Sequence, residues 1–233
     1  MGHGSQKKAV GHSVFIREGH RLTSSISADG LPRRIPIFPL DGALMLPRGT
    51  LPLNIFEPRY LDMVRDAMAG ERLIGMVQRR DGEQLYGIGG LGRINQFTET
   101  DDGRFMIVLA GLTRFRTMQE LSATTAYRQI EADYSDFLDD FRQPTVLDAT
   151  SRQSLEEVLR AYLDAEDLSA DWESIHQADD ESLVNTLSAV CPFDTAEKQA
   201  LLEAEDLPRR AATLEALMRF AGDSLAPGSR GVH

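Results

Sequence analysis

The chain contains one cysteine, Cys191, so no intrachain disulfide can form and a secreted disulfide scaffold is excluded. A reducing, cytoplasmic compartment fits that usage. Cys191 lies between Val190 and Pro192 at the end of an apolar helical pattern, where a free thiol behaves as a small buried hydrophobe. Long apolar runs are also missing. The longest, Phe105 to Ala110, has the length of a buried strand and falls short of the roughly 20 residues a membrane helix needs. Beyond Lys7 and Lys8 the only lysine is Lys198. It stands beside Glu197 at the start of a helical pattern and is expected to be a solvated charge, because a catalytic lysine needs a desolvated site. Histidine is equally scarce. His3, His12 and His20 fall in the first 34 residues, too widely spaced and too far from cysteines or paired acids for a metal site. A Ser/His/Asp triad would have to use His176, which follows Trp172 and Ile175 in a short helical stretch and is expected to pack or lie at the surface. No G-x-x-x-x-G-K-[ST] phosphate loop occurs, which excludes an ATPase of that type.

What is present describes an ordinary globular protein. Of 233 residues, 42% are hydrophobic and 26% charged, enough for one large domain or two small ones. The net charge of -11 is unevenly spread: residues 1–34 carry +4, from six basic residues against Glu18 and Asp29, which leaves -15 on the remainder. Nucleic-acid affinity comes largely from neutralising phosphates, so the acidic body disfavours nucleic acid as its partner. Residues 1–34 show no sustained periodicity and read as a disordered tail. Their basic, acid-poor character faintly resembles a transit peptide.

From Ile35 to Tyr60 the chain is apolar and dense in proline, with Pro36, Pro39, Pro47, Pro52 and Pro58. Proline has no N–H, so these segments form short strands, edge strands or extended connections. The pattern predicts a strand, a turn at Asp41-Gly42, a second strand and, at Pro58, the start of a helix that carries Tyr60, Leu61, Val64 and Met68 and ends at Gly70. Strand signals continue to Asp136: Leu73–Val77, a turn at Asp81-Gly82, Gln84–Ile88, Arg93–Thr98 facing Arg104–Leu109 across Asp101-Asp102-Gly103, Thr113–Met118, and a strand with Arg128, Ile130, Ala132 and Tyr134 on one face. Many short strands with one inserted helix suggest a curled sheet or partly open barrel. Residues 137–150 are a break, with Asp139, Asp140, Pro144 and Asp148 interrupting any period.

Beyond the break the code becomes helical. Leu155, Val158, Leu159, Tyr162 and Leu163 form one stripe, with Ser154 and Glu157 at capping-box spacing. Leu183, Val184, Leu187 and Val190 form another. A third helix starts at Asp194, with Glu197 three residues on. Pro208 can open a fourth in which Leu214, Leu217 and Phe220/Ala221 face inward. The acidic groups Asp179-Asp180-Glu181 and Glu203, Glu205, Asp206 are expected on solvated faces or at helix starts. Residues 226–233 read as a frayed end.

Gly87-Ile88-Gly89-Gly90-Leu91-Gly92 matches the dinucleotide pattern G-x-G-x-x-G. That pattern requires a helix starting at the loop and an acid about 20 residues on. A strand follows instead, and Gly111-Leu112-Thr113 stands at the acid's place. A bulge or sharply coiled strand explains these glycines better. Glu57, Arg59 and Tyr60 interrupt an apolar stretch at a strand-to-helix junction. Arg59 could pair with an acid, cap carbonyls and fix the junction, or line a peptide groove; Leu53 and Phe56 divide similarly between core and groove.

The run Phe38-Pro39-Leu40, Leu46-Pro47 and Leu51 to Tyr60, followed by Arg72 to Gln78, Gly92-Arg93-Ile94 and Gly111 to Arg116, closely resembles the amino-terminal, substrate-binding domain of Lon proteases. In the helical part, Val184 to Leu187, Cys191-Pro192-Phe193 and Glu197 to Glu203 are similar to stand-alone bacterial proteins of that kind. The resemblance implies an α+β fold, with a β-rich PUA-like pseudo-barrel holding one inserted helix (residues 35–136), a linker (137–150) and a helical bundle (151–225). Lon proteases continue into an ATPase module and a protease domain with a Ser–Lys dyad, and this chain stops before both. The resemblance therefore implies a recognition module without catalytic, cofactor or metal residues. The expected partners are unfolded or tagged polypeptides, held at Leu53, Phe56, Glu57, Arg59 and Tyr60 and presented to a protease or chaperone, with no membrane association. Two rival readings are a scaffold that binds a folded partner through the bundle and an RNA-binding PUA-like module.

Overall fold

The proline-bearing segments Arg34–Pro39 and Thr50–Ile55 are extended strands, as the prolines' missing N–H groups predict. In the computed structural model, which describes residues 30–143 and 146–225, β1 (Arg34–Pro39) leads through a turn with φ +71° at Gly42 into an irregular segment, residues 43–49, and then into β2 (Thr50–Ile55). Helix α1 (Pro58–Ala69) begins on Pro58 and stops at Gly70. Then come β3 (Leu73–Val77), β4 (Ile88–Glu99), β5 (Phe105–Leu121) and β6 (Gln129–Asp133). A 3-10 helix (Ser135–Phe141) precedes α2 (Ala149–Ala165), α3 (Trp172–Gln177), α4 (Asp180–Val190), α5 (Thr195–Glu203) and α6 (Leu207–Leu225). The expected tail at residues 1–29, with its three histidines, and the expected frayed end at 226–233 lie outside the described residues.

The stretches Arg104–Leu109 and Thr113–Met118, expected as two strands, are one 17-residue strand, β5. Its length organises the sheet. One side of β5 pairs with β4 from Phe105 to Arg116; the other pairs first with β2 and then with β6. β4 pairs with β3, β3 runs parallel to β1, and β1 pairs with β6. Strands β5, β4, β3, β1 and β6 thus close into a ring, and β2 stands outside it as an edge. Ile35, Ile37, Leu73, Val77, Leu91, Phe115 and Ile130, drawn from all five ring strands, form one core. A second core joins Leu53, Ile55, Ile74, Ile107 and Leu109 to Tyr60, Met63 and Val64 of α1.

The glycine run that mimics a nucleotide loop lies in β4, with ladder irregularities at Leu91/Gly92 and Ile94/Gln96. A Cβ added at Gly90 would lie 1.9 Å from the Met45 carbonyl oxygen, and one at Gly111 would lie 1.9 Å from that of Leu46. These glycines let segment 43–49 lie flat on the sheet. Side chains along the segment alternate: Leu44 and Leu46 enter the core of the helical part, and Met45 enters the core under α1.

Polar side chains complete this joint and correct several expectations. Asp140, read as part of a structureless linker, is buried in the 3-10 helix and forms an ion pair with buried Arg114, whose Nη2 lies 2.8 Å from Oδ1. Arg114 also donates to the carbonyls of Leu202, Ala204 and Glu205, between α5 and α6. Glu181 sits in the first turn of α4, a helix start as expected, but it is buried and takes two hydrogen bonds from Arg48, at 2.6 and 2.7 Å. Lys198, expected in solvent, is buried and donates to the carbonyls of Gly42 and Ala189 at 3.0 and 2.9 Å; burial lowers its pKa. The disordered reading of residues up to 34 also gives way at its end, where Arg34 belongs to β1 and the Tyr134 hydroxyl donates to the Pro32 carbonyl.

In the helical part, α5 starts after Asp194 as expected, and Asp194 and Glu197 form a capping box there. Helix α2 does not start where Ser154 suggested. Asp148 caps it by accepting from the Thr150 and Ser151 amides, and Ser154 sits inside the helix, donating to Glu215 of α6. On α6 Leu214 faces inward as expected, and Leu217 and Ala221 pack against the same core, but Met218 is buried beside Leu214 whereas Phe220 is 69% exposed. A helix turns 100° per residue, so Met218, four positions after Leu214, shares its face and Phe220 does not. Cys191 is buried, and burial pushes its thiol from 9.0 up to about 11. At pH 8 iodoacetamide, which attacks the thiolate, should therefore react about 100-fold more slowly with the folded protein than with the urea-unfolded one. Comparable rates would mean that Cys191 is not buried.

Candidate functional site

β2 is an edge strand whose outer side no other strand pairs among the described residues. The Arg48 amide donates to the Gly111 carbonyl at 2.9 Å and the Gly111 amide donates to that of Gly49 at 2.8 Å. Bonded positions recur every second residue along an antiparallel ladder, so Leu51, Leu53 and Ile55 bond to β5, and Thr50, Pro52 and Asn54 turn their backbone groups outward. Pro52 occupies a position where its missing N–H costs no ladder bond.

Beside this edge lies an open cleft of about 280 Å³, lined by Phe38, Leu40, Pro52, Leu53, Asn54, Phe56, Glu57, Arg59, Tyr60 and Arg79 among others. Its floor is apolar and rigid. Phe38 and Leu53 are 8% exposed, Tyr60 is 6% exposed, and the Phe38 and Tyr60 rings pack tilted at 39° with centroids 4.2 Å apart. Phe56 differs, standing 62% exposed just beyond the end of β2. Leaving a phenylalanine in water forgoes about 2 kcal/mol of burial, and here the exposed ring borders a concave apolar floor.

The charged groups cluster at one end. The Arg59 guanidinium packs 4.6 Å from the Tyr60 ring centroid and pairs with Glu57 through Nε and Nη2 at 3.0 and 2.9 Å. Arg59 thus pairs with an acid at the junction, and its side chain also borders the cleft. Arg79 is held in the same way by Asp41. A smaller recess of about 40 Å³ adjoins the cleft, sharing Pro39, Arg59, Tyr60 and Arg79 with it and adding Glu83, Ala126, Tyr127 and Arg128. Burial raises the Tyr60 phenol above its usual pKa; the charges of Arg59, Arg79 and Arg128 act the other way. Tyr127 donates to Asp66 at 2.7 Å and is pushed up to about 12, by burial first and then by that carboxylate.

The five residues expected from the sequence, Leu53, Phe56, Glu57, Arg59 and Tyr60, thus line one cleft. Sequence reasoning missed its opposite wall. Phe38 and Leu40 belonged to the same apolar stretch, which was the available signal, whereas Arg79 in the cleft and Arg128 in the recess arrive only through the pairing of β1 with β3 and β6. His176 lies exposed, with Glu156 3.4 Å away. Among the described residues no group of His, Cys, Asp and Glu could hold a metal ion, and no helix is long and apolar enough to cross a membrane.

Comparison with known proteins agrees with this architecture. A crystal structure of a Lon N-terminal domain protein from Xanthomonas campestris superposes with a TM-score of 0.59 at 24% identity, covering 78% of this chain and 97% of that one. The N-terminal domain of a Mycobacterium avium complex Lon protease gives 0.59 at 18% identity, over 80% and 98% of the two chains. At these identities the likeness concerns the fold. In sequence, the chain is 26% identical to an Anaeromyxobacter dehalogenans Lon protease over 49% of its length and 14% of the relative's. It is 26% identical to the Escherichia coli K12 Lon protease over 82% of its length and 25% of the relative's. The matches thus span a quarter or less of these curated relatives. The family described as the ATP-dependent protease La (LON) substrate-binding domain matches residues 34–219, which is most of the chain and includes every strand and every residue of the cleft, and the chain accordingly belongs to the Lon substrate-binding-domain family.

Proposed function

We propose that the protein binds exposed apolar segments of unfolded or tagged polypeptides in the cleft beside β2, without itself performing chemistry on them, and that it presents them to a protease or chaperone. The observation that carries this reading is the combination of an unpaired strand edge with an apolar floor and an exposed phenylalanine at its rim. An extended peptide can add to such an edge through main-chain hydrogen bonds while alternate side chains enter the cleft. Thr50 and Asn54 offer both a donor and an acceptor, and Pro52 an acceptor alone. Leu53, Tyr60 and Phe38 receive an apolar side chain, Phe56 closes over it, and Glu57 and Arg59 border it.

Fluorescence anisotropy with a labelled unfolded polypeptide, at low and high salt and with a labelled RNA oligomer as control, tests the reading. Saturable, salt-insensitive peptide binding without RNA binding is expected. Phe56→Ala should weaken that binding about tenfold or more, the usual effect of truncating an aromatic anchor, and should leave the melting temperature unchanged because the ring lies outside the core. RNA affinity that collapses with salt would favour the nucleic-acid reading. Absence of polypeptide binding would sink the proposal.

A further inference from the structure

The recess at the end of the cleft holds hydrogen-bond donors that the fold itself does not use. Arg59, Arg79 and Arg128 each engage a carboxylate, of Glu57, Asp41 and Glu120 respectively, and each does so through Nε and Nη2. A guanidinium has five N–H groups in a rigid fork, so a carboxylate on one edge fixes its orientation and leaves Nη1 available. Among the described residues Nη1 of Arg59 and of Arg79 has no acceptor, and the Tyr60 hydroxyl, which feels the charge of all three arginines, has no hydrogen-bond partner. Nη1 of Arg128 donates to the Glu83 carbonyl at 3.2 Å. Three arginines thus line one recess with Tyr60, in a protein whose body carries a large negative charge.

We infer that this recess receives a carboxylate of the bound polypeptide, next to an apolar residue seated in the cleft. The inference rests on the peptide-binding reading above and specifies its substrate class. Size agrees: about 40 Å³ is room for roughly three water-sized groups, the number of heavy atoms in a carboxylate. Continuity agrees as well, because the recess and the cleft share Pro39, Arg59, Tyr60 and Arg79, so one ligand residue can place its side chain on one side of Tyr60 and its carboxylate on the other. Electrostatics sets the character of the contact. Four carboxylates face the three cations: Glu57, Asp41 and Glu120 hold one arginine each, and Glu83 also stands 3.8 Å from Nη1 of Arg128. Attraction over long range is therefore weak, and the recess discriminates by oriented, charge-assisted hydrogen bonds, which are the stronger kind. A chain terminus and an aspartate or glutamate side chain present the same chemistry.

Three fluorescein-labelled decapeptides with the same apolar body separate these cases: one ending in Phe-Leu with a free carboxylate, its C-terminal amide, and an amide with Asp next to the Phe. The full chain should bind the free acid about tenfold more tightly than the plain amide, as expected for a hydrogen bond to a charged group. If the Asp-containing amide matches the free acid, the side chain serves as well as the terminus; if it matches the plain amide, the terminus is the ligand. In Tyr60→Phe, which keeps the ring against Phe38, and in Arg79→Gln, the acid-to-amide ratio should fall toward one. Equal affinity of all three peptides for the unmodified protein overturns the carboxylate inference and leaves the apolar cleft reading intact. Failure of all three to bind overturns both.

Discussion

Asp140→Asn is expected to lower the free energy of unfolding by about 3–5 kcal/mol, the cost of leaving one member of a buried ion pair without its partner. Arg114 and Asp140 have side chains 5% and 7% exposed, so no water takes over the lost charge. The carboxylate accepts from the Arg114 backbone amide at 2.8 Å and from its Nε and Nη2 at 3.0 and 2.8 Å. The same guanidinium holds the α5–α6 connection, and the Asp140 carbonyl accepts from Arg48. One substitution therefore loosens β5, the 3-10 helix and the helical part together. Urea denaturation checks the magnitude. A paired control is available: Arg114→Met with Asp140→Leu should be less destabilising than Asp140→Leu alone, because removing both charges removes the stranded cation. A loss below about 1 kcal/mol for Asp140→Asn, the range of an exposed pair, would show that the pair is not buried in solution.

The second large effect is expected from a single methyl group. Gly111→Ala should cost on the order of 3 kcal/mol, at the upper end of what overpacking usually costs, because the new Cβ would stand 1.9 Å from the Leu46 carbonyl oxygen and 3.1 Å from the Met45 side chain. Backbone, unlike the far end of a side chain, cannot rotate away. Segment 43–49 must lift, which breaks the bonds between Arg48, Gly49 and Gly111 and withdraws Leu44 and Leu46 from the helical core. Gly103→Ala is the matched control: its φ of +78° gives it the ordinary strain of alanine at a turn, and its Cβ would meet nothing within 4 Å. Thermal denaturation should place Gly111→Ala well below this control. Equal melting temperatures would mean that the segment does not lie on the sheet as described.

These two sites show where local reading stops. Asp140 falls in a run of acids and a proline that break every period, and nothing in that run indicates that one of its acids faces a strand 26 positions earlier. Arg114 alternates with its neighbours as any strand residue would. Lys198 and Glu181 stand at helix starts, where a solvated charge is the usual occupant; each is buried because a stretch remote in sequence meets it, the turn at Gly42 bringing its carbonyl to Lys198 and segment 43–49 bringing Arg48 to Glu181.

The sequence by itself determined whatever depends on neighbours along the chain. Prolines without N–H groups kept residues 34–39 and 50–55 extended, Pro58 and Gly70 bounded α1, and Asp194 with Glu197 capped α5. The strand context of the glycine run removed the nucleotide reading. The order of apolar motifs was specific enough to indicate the Lon substrate-binding-domain family, and the strand-to-helix junction from Leu53 to Tyr60 marked one side of the cleft. Only the tertiary structure decided what depends on contacts between distant segments: that β5 is one strand serving three partners, that β2 is left outside the ring, and that Arg79 and Arg128 meet Tyr60. Periodicity records which face of an element is apolar, but it carries no information about which other element covers that face, and the recess in this protein is built entirely from such meetings.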